Sequence, residues 1–247
     1  MRSSLIDRGT ETINLAQLKI KKGRHCNPAN NSPFTGIAVG SYYSYKNPFD
    51  LSRIKCCITY IDGKRNGLTE WFDKDGYLRY RARYKCGKYH GFFCGFHRDG
   101  HVREKGYYKN SKKEGLWKWF DIENRLRMSK DYKNGKRHGL MEIFYKNGQL
   151  ASTDNYKNGK QEGLREGFDA DGILSYRQLY KNGEKDGLSK YYYENGQLEL
   201  ETNRDHKPNI IDVMCEIGDL SDFFGNTINE EGNLTKTETW ENGELTV

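Results

Sequence analysis

The chain has 247 residues, 35% hydrophobic and 30% charged, with a net charge of +7 and a mean hydropathy of −0.98. So polar a composition excludes a membrane-spanning helix and leaves too little apolar material for a thick globular core. The 13% aromatic content, the 27 glycines and a strict internal repeat argue against the disorder that low hydropathy alone would imply.

Residues 1–35 read as an irregular N-terminal cap. The first 25, with Arg2, Asp7, Arg8, Glu11 and Lys19, hold no apolar stretch of the kind a signal peptide needs, so a cytoplasmic location is expected. Ile13, Leu15, Leu18 and Ile20 suggest a short helix or strand leading into a turn at Lys21-Lys22-Gly23. Residues 36–59 read as a first, lengthened copy of a unit that then becomes regular.

Tyr60, Tyr84, Tyr108, Tyr132, Tyr156 and Tyr180 stand 24 residues apart, and their surroundings repeat with them. A period of this length marks a repeat array, a quasi-one-dimensional scaffold suited to binding. Within each unit one slot is always glycine (Gly67, Gly91, Gly115, Gly139, Gly163, Gly187), followed by an apolar residue such as Leu116. Four residues after that comes an aromatic: Phe72, Phe96, Phe120, Phe144, Phe168 and Tyr192. A further glycine slot (Asn124 in one unit) precedes Leu78, Val102, Leu126, Leu150, Leu174 and Leu198. Alternating apolar residues with Asn-Gly or Asp-Gly between the runs signal β-hairpins. A three-residue loop with Gly196 in a left-handed bulge pairs Tyr192 with Leu198, and Asn124 is the non-glycine residue best suited to that slot. The fold class is therefore all-β: an elongated antiparallel sheet of tandem hairpins over residues 36–203. Its Leu, Phe and Tyr slots are expected to form rows on one face. The invariant glycine is expected to permit a left-handed or crowded backbone.

Residues 204–247 form an acidic C-terminal cap. The segment 208–247 carries nine acids against one base, Lys236. The period slips by 12 residues after Asn203, and Gly232, Leu234, Trp240 and Gly243 then keep the spacing of a degenerate last repeat. Atypical ends are what an array needs to close its sheet edges.

The runs Tyr132-Lys-Asn-Gly135-Lys, Gly139-Leu140, Tyr145-Lys-Asn-Gly148-Gln-Leu150 and Tyr192-Tyr-Glu-Asn-Gly196-Gln-Leu198 resemble the bacterial MORN-repeat variant found in YwqK-family antitoxins. The segment Asn31-Ser-Pro33-Phe34-Thr35-Gly36 is similar to the start of those proteins. The resemblance implies an antiparallel β-repeat fold, no catalytic residues, and a role in binding or neutralising a cognate protein toxin.

Trp71, Trp119, Ile143 and Tyr191 share a slot whose parity is opposite to that of the Leu/Phe row, and Trp117 points the same way. Such a stripe is either a second packed face or a binding surface. With the acids Asp212, Glu216, Asp219 and Asp222, these residues are the candidate partner contacts. Lys85, Lys88, Lys109, Lys112, Lys133, Lys136, Lys157, Lys160 and Lys181 flank the turns and would line one rim. Such lysines keep sheet edges soluble, and they are also the feature an anionic membrane would meet. They lack interleaved base-stacking aromatics, so no nucleic-acid partner is expected. Cys86, His90, Cys94, His97 and His101 lie close in sequence but at different turns and faces, not at finger spacing, so no metal or other cofactor is expected. The six cysteines read as free thiols. No nucleophile–base motif or phosphate-binding loop is present, so an enzyme is not expected. An open sheet edge would allow a homodimer.

Overall fold

A computed structural model describes residues 10–42, 54–203, 239–241 and 244–246. The described residues contain no α-helix. The N-terminal elements are β1 (Thr12–Asn14), a 3₁₀ turn (Leu15–Gln17), β2 (Lys19–Lys21) and β3 (Arg24–Cys26). The meander follows with β4 (Gly36–Ser41), β5 (Ile54–Ile61), β6 (Lys64–Phe72), β7 (Leu78–Lys85), β8 (Lys88–Phe96), β9 (Val102–Lys109) and β10 (Lys112–Phe120). It continues through β11 (Leu126–Lys133), β12 (Lys136–Phe144), β13 (Leu150–Lys157), β14 (Lys160–Phe168), β15 (Leu174–Lys181), β16 (Glu184–Tyr192) and β17 (Leu198–Asn203). Strands β4 to β17 are antiparallel neighbours in sequence order, and β1 adds to β4 in parallel, completing a 15-stranded sheet. A separate hairpin pairs β18 (Thr239–Glu241) with β19 (Glu244–Thr246).

Two turn types alternate. On one edge a two-residue turn has both central residues at positive φ, as at Asn134 (54°) and Gly135 (83°), between the paired Lys133 and Lys136. That is the type I′ requirement and explains the Asn-Gly pairs. On the other edge the Gly196 N–H donates to the Tyr193 carbonyl (2.8 Å) and the Tyr193 N–H to the Gln197 carbonyl (2.9 Å). This is the three-residue loop read from the sequence, with Tyr192 opposite Leu198, Gly196 at φ 80° and Asn124 at φ 60°.

The repeat length has a backbone cause. Each two-residue turn donates an N–H to the strand that leaves the preceding turn: Gly87 to the Arg65 carbonyl (2.8 Å), Ser111 to Tyr89 (2.8 Å), Gly135 to Lys113 (2.9 Å), Gly159 to Arg137 (2.8 Å) and Gly183 to Gln161 (2.9 Å). These bonds stack the turns in register. They form because the strand kinks at the invariant glycine, where the ladder skips, for example between Lys130/Met141 and Tyr132/Arg137. Gly139 sits in that bulge at φ 101°.

The other bulge overturns the expectation that the Tyr slots share a face with the Leu and Phe slots. Phe72 pairs with Leu78, but the next pair inward is Trp71 with Tyr80, so Arg79 is an extra residue. Leu78 and Tyr80 have the same parity in sequence, yet the bulge turns Tyr80, Ala82 and Tyr84 to the Trp71 side. The same slip recurs at every such hairpin. The sheet therefore has a phenylalanine face and a tyrosine face.

At the N-terminal end both faces are packed. Phe34, Ala38, Cys56, Ile58 and Tyr60 form a buried cluster on the tyrosine face under Ile13, Leu15 and Leu18. Ile37, Val39, Ile54, Cys57 and Phe72 form one on the other face. The β2–β3 hairpin caps the first turn: the His25 N–H donates to the Gly63 carbonyl (2.8 Å) and Arg24 pairs with Asp62 (2.6 Å). Beyond this end the described residues form a single layer.

Candidate binding face

The tyrosine face carries three cross-strand rows. The first runs through Trp71, Tyr80, Gly95, Glu104, Trp119, Met128, Ile143, Ser152, Gly167, Tyr176, Tyr191 and Leu200, each opposite the next. Trp71, Trp119, Ile143 and Tyr191, singled out from the sequence, thus lie in one row, and it is longer than their spacing showed. The residues that alternate with them come from the returning strand. The two glycines do not leave gaps. A Cβ on Gly167 would fall 2.1 Å from the Tyr176 ring, and one on Gly95 3.1 Å from the Glu104 side chain, so cross-strand neighbours lie over both.

The second row places Ala82, Phe93, Gly106, Trp117, Lys130 and Met141 side by side. The Trp117 ring lies over Gly106, and its Nε1–H donates to the Tyr107 carbonyl (3.1 Å). Trp117 is 0% exposed. It supports the surface from beneath and does not itself offer area to a partner.

The third row is the Tyr ladder. The residue five positions after each Tyr faces it: Arg65, Tyr89, Lys113, Arg137, Gln161 and Lys185. Three of these cations reach the next unit's ring: Arg65 lies 5.6 Å from the Tyr84 centroid, Lys113 5.3 Å from Tyr132 and Arg137 4.1 Å from Tyr156. Lys113 sits among three rings, with Trp117 at 4.0 Å and Trp119 at 4.9 Å. Burial lowers its pKa, Glu104 opposing and Lys130 adding to the effect. Burial likewise pushes the phenols of Tyr80, Tyr84, Tyr108, Tyr132 and Tyr156 above the usual tyrosine range.

The rows merge between β6 and β11 into one aromatic tract. Trp71 stacks on Tyr80 (6.1 Å), Tyr80 on Phe93 (5.7 Å) and Phe93 on Trp117 (5.7 Å), with Tyr108 edge-on to Trp117 (4.9 Å) and Trp119 beside it (6.0 Å). Trp71, Tyr80, Phe93 and Trp119 remain half-buried, with accessible area. Tyr80, Tyr89, Phe93 and Lys113 escaped the sequence reading. Only the register across the bulged hairpins brings them to the Trp slot.

The remaining candidates separate. Asp212, Glu216, Asp219 and Asp222 lie outside the described residues. The nine rim lysines are exposed, and Lys85/Lys88, Lys109/Lys112, Lys133/Lys136 and Lys157/Lys160 pair across the two-residue turns. Cys86 occupies such a turn, whereas Cys94 is buried mid-strand. His97 and His101 donate to the Phe120 and Ile122 carbonyls at the opposite edge (3.0 and 2.9 Å). The cluster that is close in sequence therefore does not converge. Among the described residues no helix is long and apolar enough to cross a membrane.

The MORN repeat variant matches residues 89–110, 137–158, 161–182 and 185–206. Residues 137–206 thus match this repeat in tandem, with a further match at 89–110, together about a third of the chain. No curated protein is matched. Among solved structures, TarM is similar over 36% of this chain and 17% of its own, at 16% identity and a TM-score of 0.26. An S. aureus TarM mutant with Fondaparinux, alpha-GlcNAc-glycerol and UDP covers 39% of this chain and 19% of its own, at 17% identity and a TM-score of 0.28. A GtfA/B complex bound to UDP and GlcNAc covers 46% and 22%, at 14% identity and a TM-score of 0.22. The chain thus spans about a fifth of each, and likenesses this slight carry no argument about activity.

Proposed function

We propose that this MORN-repeat chain is a non-catalytic binding protein that engages a protein partner through the aromatic tract of its tyrosine face. The observation that carries the reading is the tract itself: half-buried Trp71, Tyr80, Phe93 and Trp119, with Lys113 and Lys130 over the Trp119 ring. Trp, Tyr and Arg dominate the energetics of protein interfaces, and a rigid sheet presents them without an ordering cost. The resemblance to YwqK-family antitoxins supports a toxin as the partner, making the chain an antitoxin or immunity protein. Co-expression of a toxin encoded beside this gene, with a pull-down by the tagged chain, tests the reading. Capture and protection are expected, and both should be lost in Trp119→Ala and Tyr80→Ala variants that stay folded. A chain that neither captures nor protects refutes the antitoxin reading; capture that ignores both variants refutes the choice of face.

The lysine rim favours a second reading, contact with an anionic membrane. Flotation with phosphatidylserine vesicles separates the two. Salt-sensitive binding supports the rim, and absence of binding removes it.

A further inference from the structure

On the phenylalanine face the central row is charged, and nearly every charge in it is answered by its neighbour. Glu70 meets Arg81 at 2.6 Å, Glu166 meets Arg177 at 2.6 Å, Glu201 meets Lys190 at 3.1 Å, and the Ser129 hydroxyl donates to Glu142 at 2.6 Å. One pair breaks the pattern. Lys105 stands directly opposite Lys118, flanked in the row by Cys94 and Ser129. Neither lysine has an ion-pair partner among the described residues, and Lys105 rests 5.1 Å from the Phe120 ring. Like charges directly opposite in a sheet are destabilising; Arg177 also stands opposite Lys190, but each of those two pairs with a glutamate on its other side, and Lys105 and Lys118 do not.

Beside the two lysines lies an open hollow of about 280 Å³, lined by Phe92, Tyr107, Leu116, Lys105 and Lys118, with Phe93 and Gly106 also at its wall. Phe92 is paired with Tyr107, and Tyr107 and Leu116 are 62% and 46% exposed. The hollow exists because β10 bulges at Gly115, where the ladder skips from Glu114 to Lys118.

We infer that this hollow is a second docking site, for a partner segment carrying a carboxylate next to an aromatic or branched apolar residue. The carboxylate lies between the two ammoniums and the apolar side chain fills the hollow. Charge complementarity sets the sign of the ligand, and the two ammoniums beside Phe92, Tyr107 and Leu116 match a segment that carries a carboxylate next to an apolar side chain. Lys105 and Lys118 lie in the charged row and not in the Trp71–Trp119 row, so variants at the two lysines test the site separately from the tyrosine-face reading.

The test uses the full chain, ¹⁵N-labelled, titrated with the blocked dipeptides acetyl-Glu-Phe-amide and acetyl-Gln-Phe-amide, with sodium acetate, and with phosphatidylserine vesicles. Shifts centred on Tyr107, Leu116 and Lys118 are expected with Glu-Phe, and about fivefold weaker ones with Gln-Phe, because Lys105 is exposed and ion pairs at an open surface add modest affinity. The double variant Lys105→Gln, Lys118→Gln should lose the Glu-Phe response. Lys118→Glu should lose it too while raising the melting temperature by about 1–3 °C, since it converts a repulsive pair into an attractive one. Equal response to both dipeptides, an equal response to acetate alone, binding to vesicles in place of peptide, or shifts on the tyrosine face would each overturn the proposal.

Discussion

Replacing Gly106 by alanine puts a methyl carbon 2.3 Å from Trp117 Cδ2, 2.4 Å from Cε2 and 2.6 Å from Cγ. The Gly106 backbone is not left-handed, so alanine meets no conformational penalty and the whole effect is steric. Real contacts of this kind need more than 3 Å, so the indole must lift by about 1 Å, a displacement that forfeits much of its dispersion contact. Lifting it disturbs the stack on Phe93, the edge contact with Tyr108, the Nε1–H bond to Tyr107 and the Lys113 ammonium 4.0 Å away. Partial loss of these, at about 0.5–1.5 kcal/mol each, gives about 3 kcal/mol of destabilisation. For a chain of this size that corresponds to a fall in melting temperature of about 6–12 °C. Repeat arrays need not unfold in one step, so tryptophan fluorescence, a probe local to the tract, should follow urea unfolding. Gly95→Ala is the control. It sits in the neighbouring row one strand away, but its new methyl meets only the flexible Glu104 and Arg103 side chains, at 3.1 and 3.3 Å, and should cost less than about 1 kcal/mol. If Gly106→Ala unfolds within 0.5 kcal/mol of the parent and of this control, the indole is not seated on the glycine and the account of the tract is wrong.

Other outcomes follow from the same geometry. Burial holds the Tyr80, Tyr84, Tyr108, Tyr132 and Tyr156 phenols above their unfolded pKa of about 10. The unfolded chain releases those protons first, so stability is fully present below about pH 10 and declines as pH rises beyond it. Absorbance at 295 nm should resolve a delayed class of tyrosines that ionises with unfolding; a single class near pH 10 would contradict the burial. Arg81→Met withdraws the guanidinium from Glu70, whose side chain is 1% exposed, and should cost about 2–3 kcal/mol in urea melts, reduced because Arg81 itself is 35% exposed. Cys86 occupies, at φ 49°, the turn position that Asn134, Asn158 and Asn182 fill elsewhere. Cys86→Asn should therefore stabilise by about 0.5–1 kcal/mol, and a loss of stability would show that the turn is not type I′.

The hairpins, the three-residue loop and the 24-residue period were legible in the residues themselves. Asn-Gly pairs, left-handed glycine slots and alternating apolar positions are local signals, and a turn is decided by the two or three residues that make it. The Leu198–Tyr192 pairing could be worked out the same way. Facing could not. Leu198 and Leu200 have one parity, and only the ladder shows that Glu199 is an extra residue that sends Leu200 to the Tyr191 side. That one-residue slip, repeated in every unit, turned the tyrosines from the phenylalanine face to the tryptophan face, where they meet Phe93 and Lys113. A bulge leaves no mark in the hydrophobic pattern because it changes which neighbours meet, not which residues are apolar. The Lys105–Lys118 pair is invisible for the same reason: the two lie 13 positions apart, and their opposition exists only in the register of β9 against β10. By itself the sequence determined the repeat, the strands and the turns. The tertiary structure decided which side chains share a face and which charges meet, because those depend on pairing between strands and on the bulges that reset it.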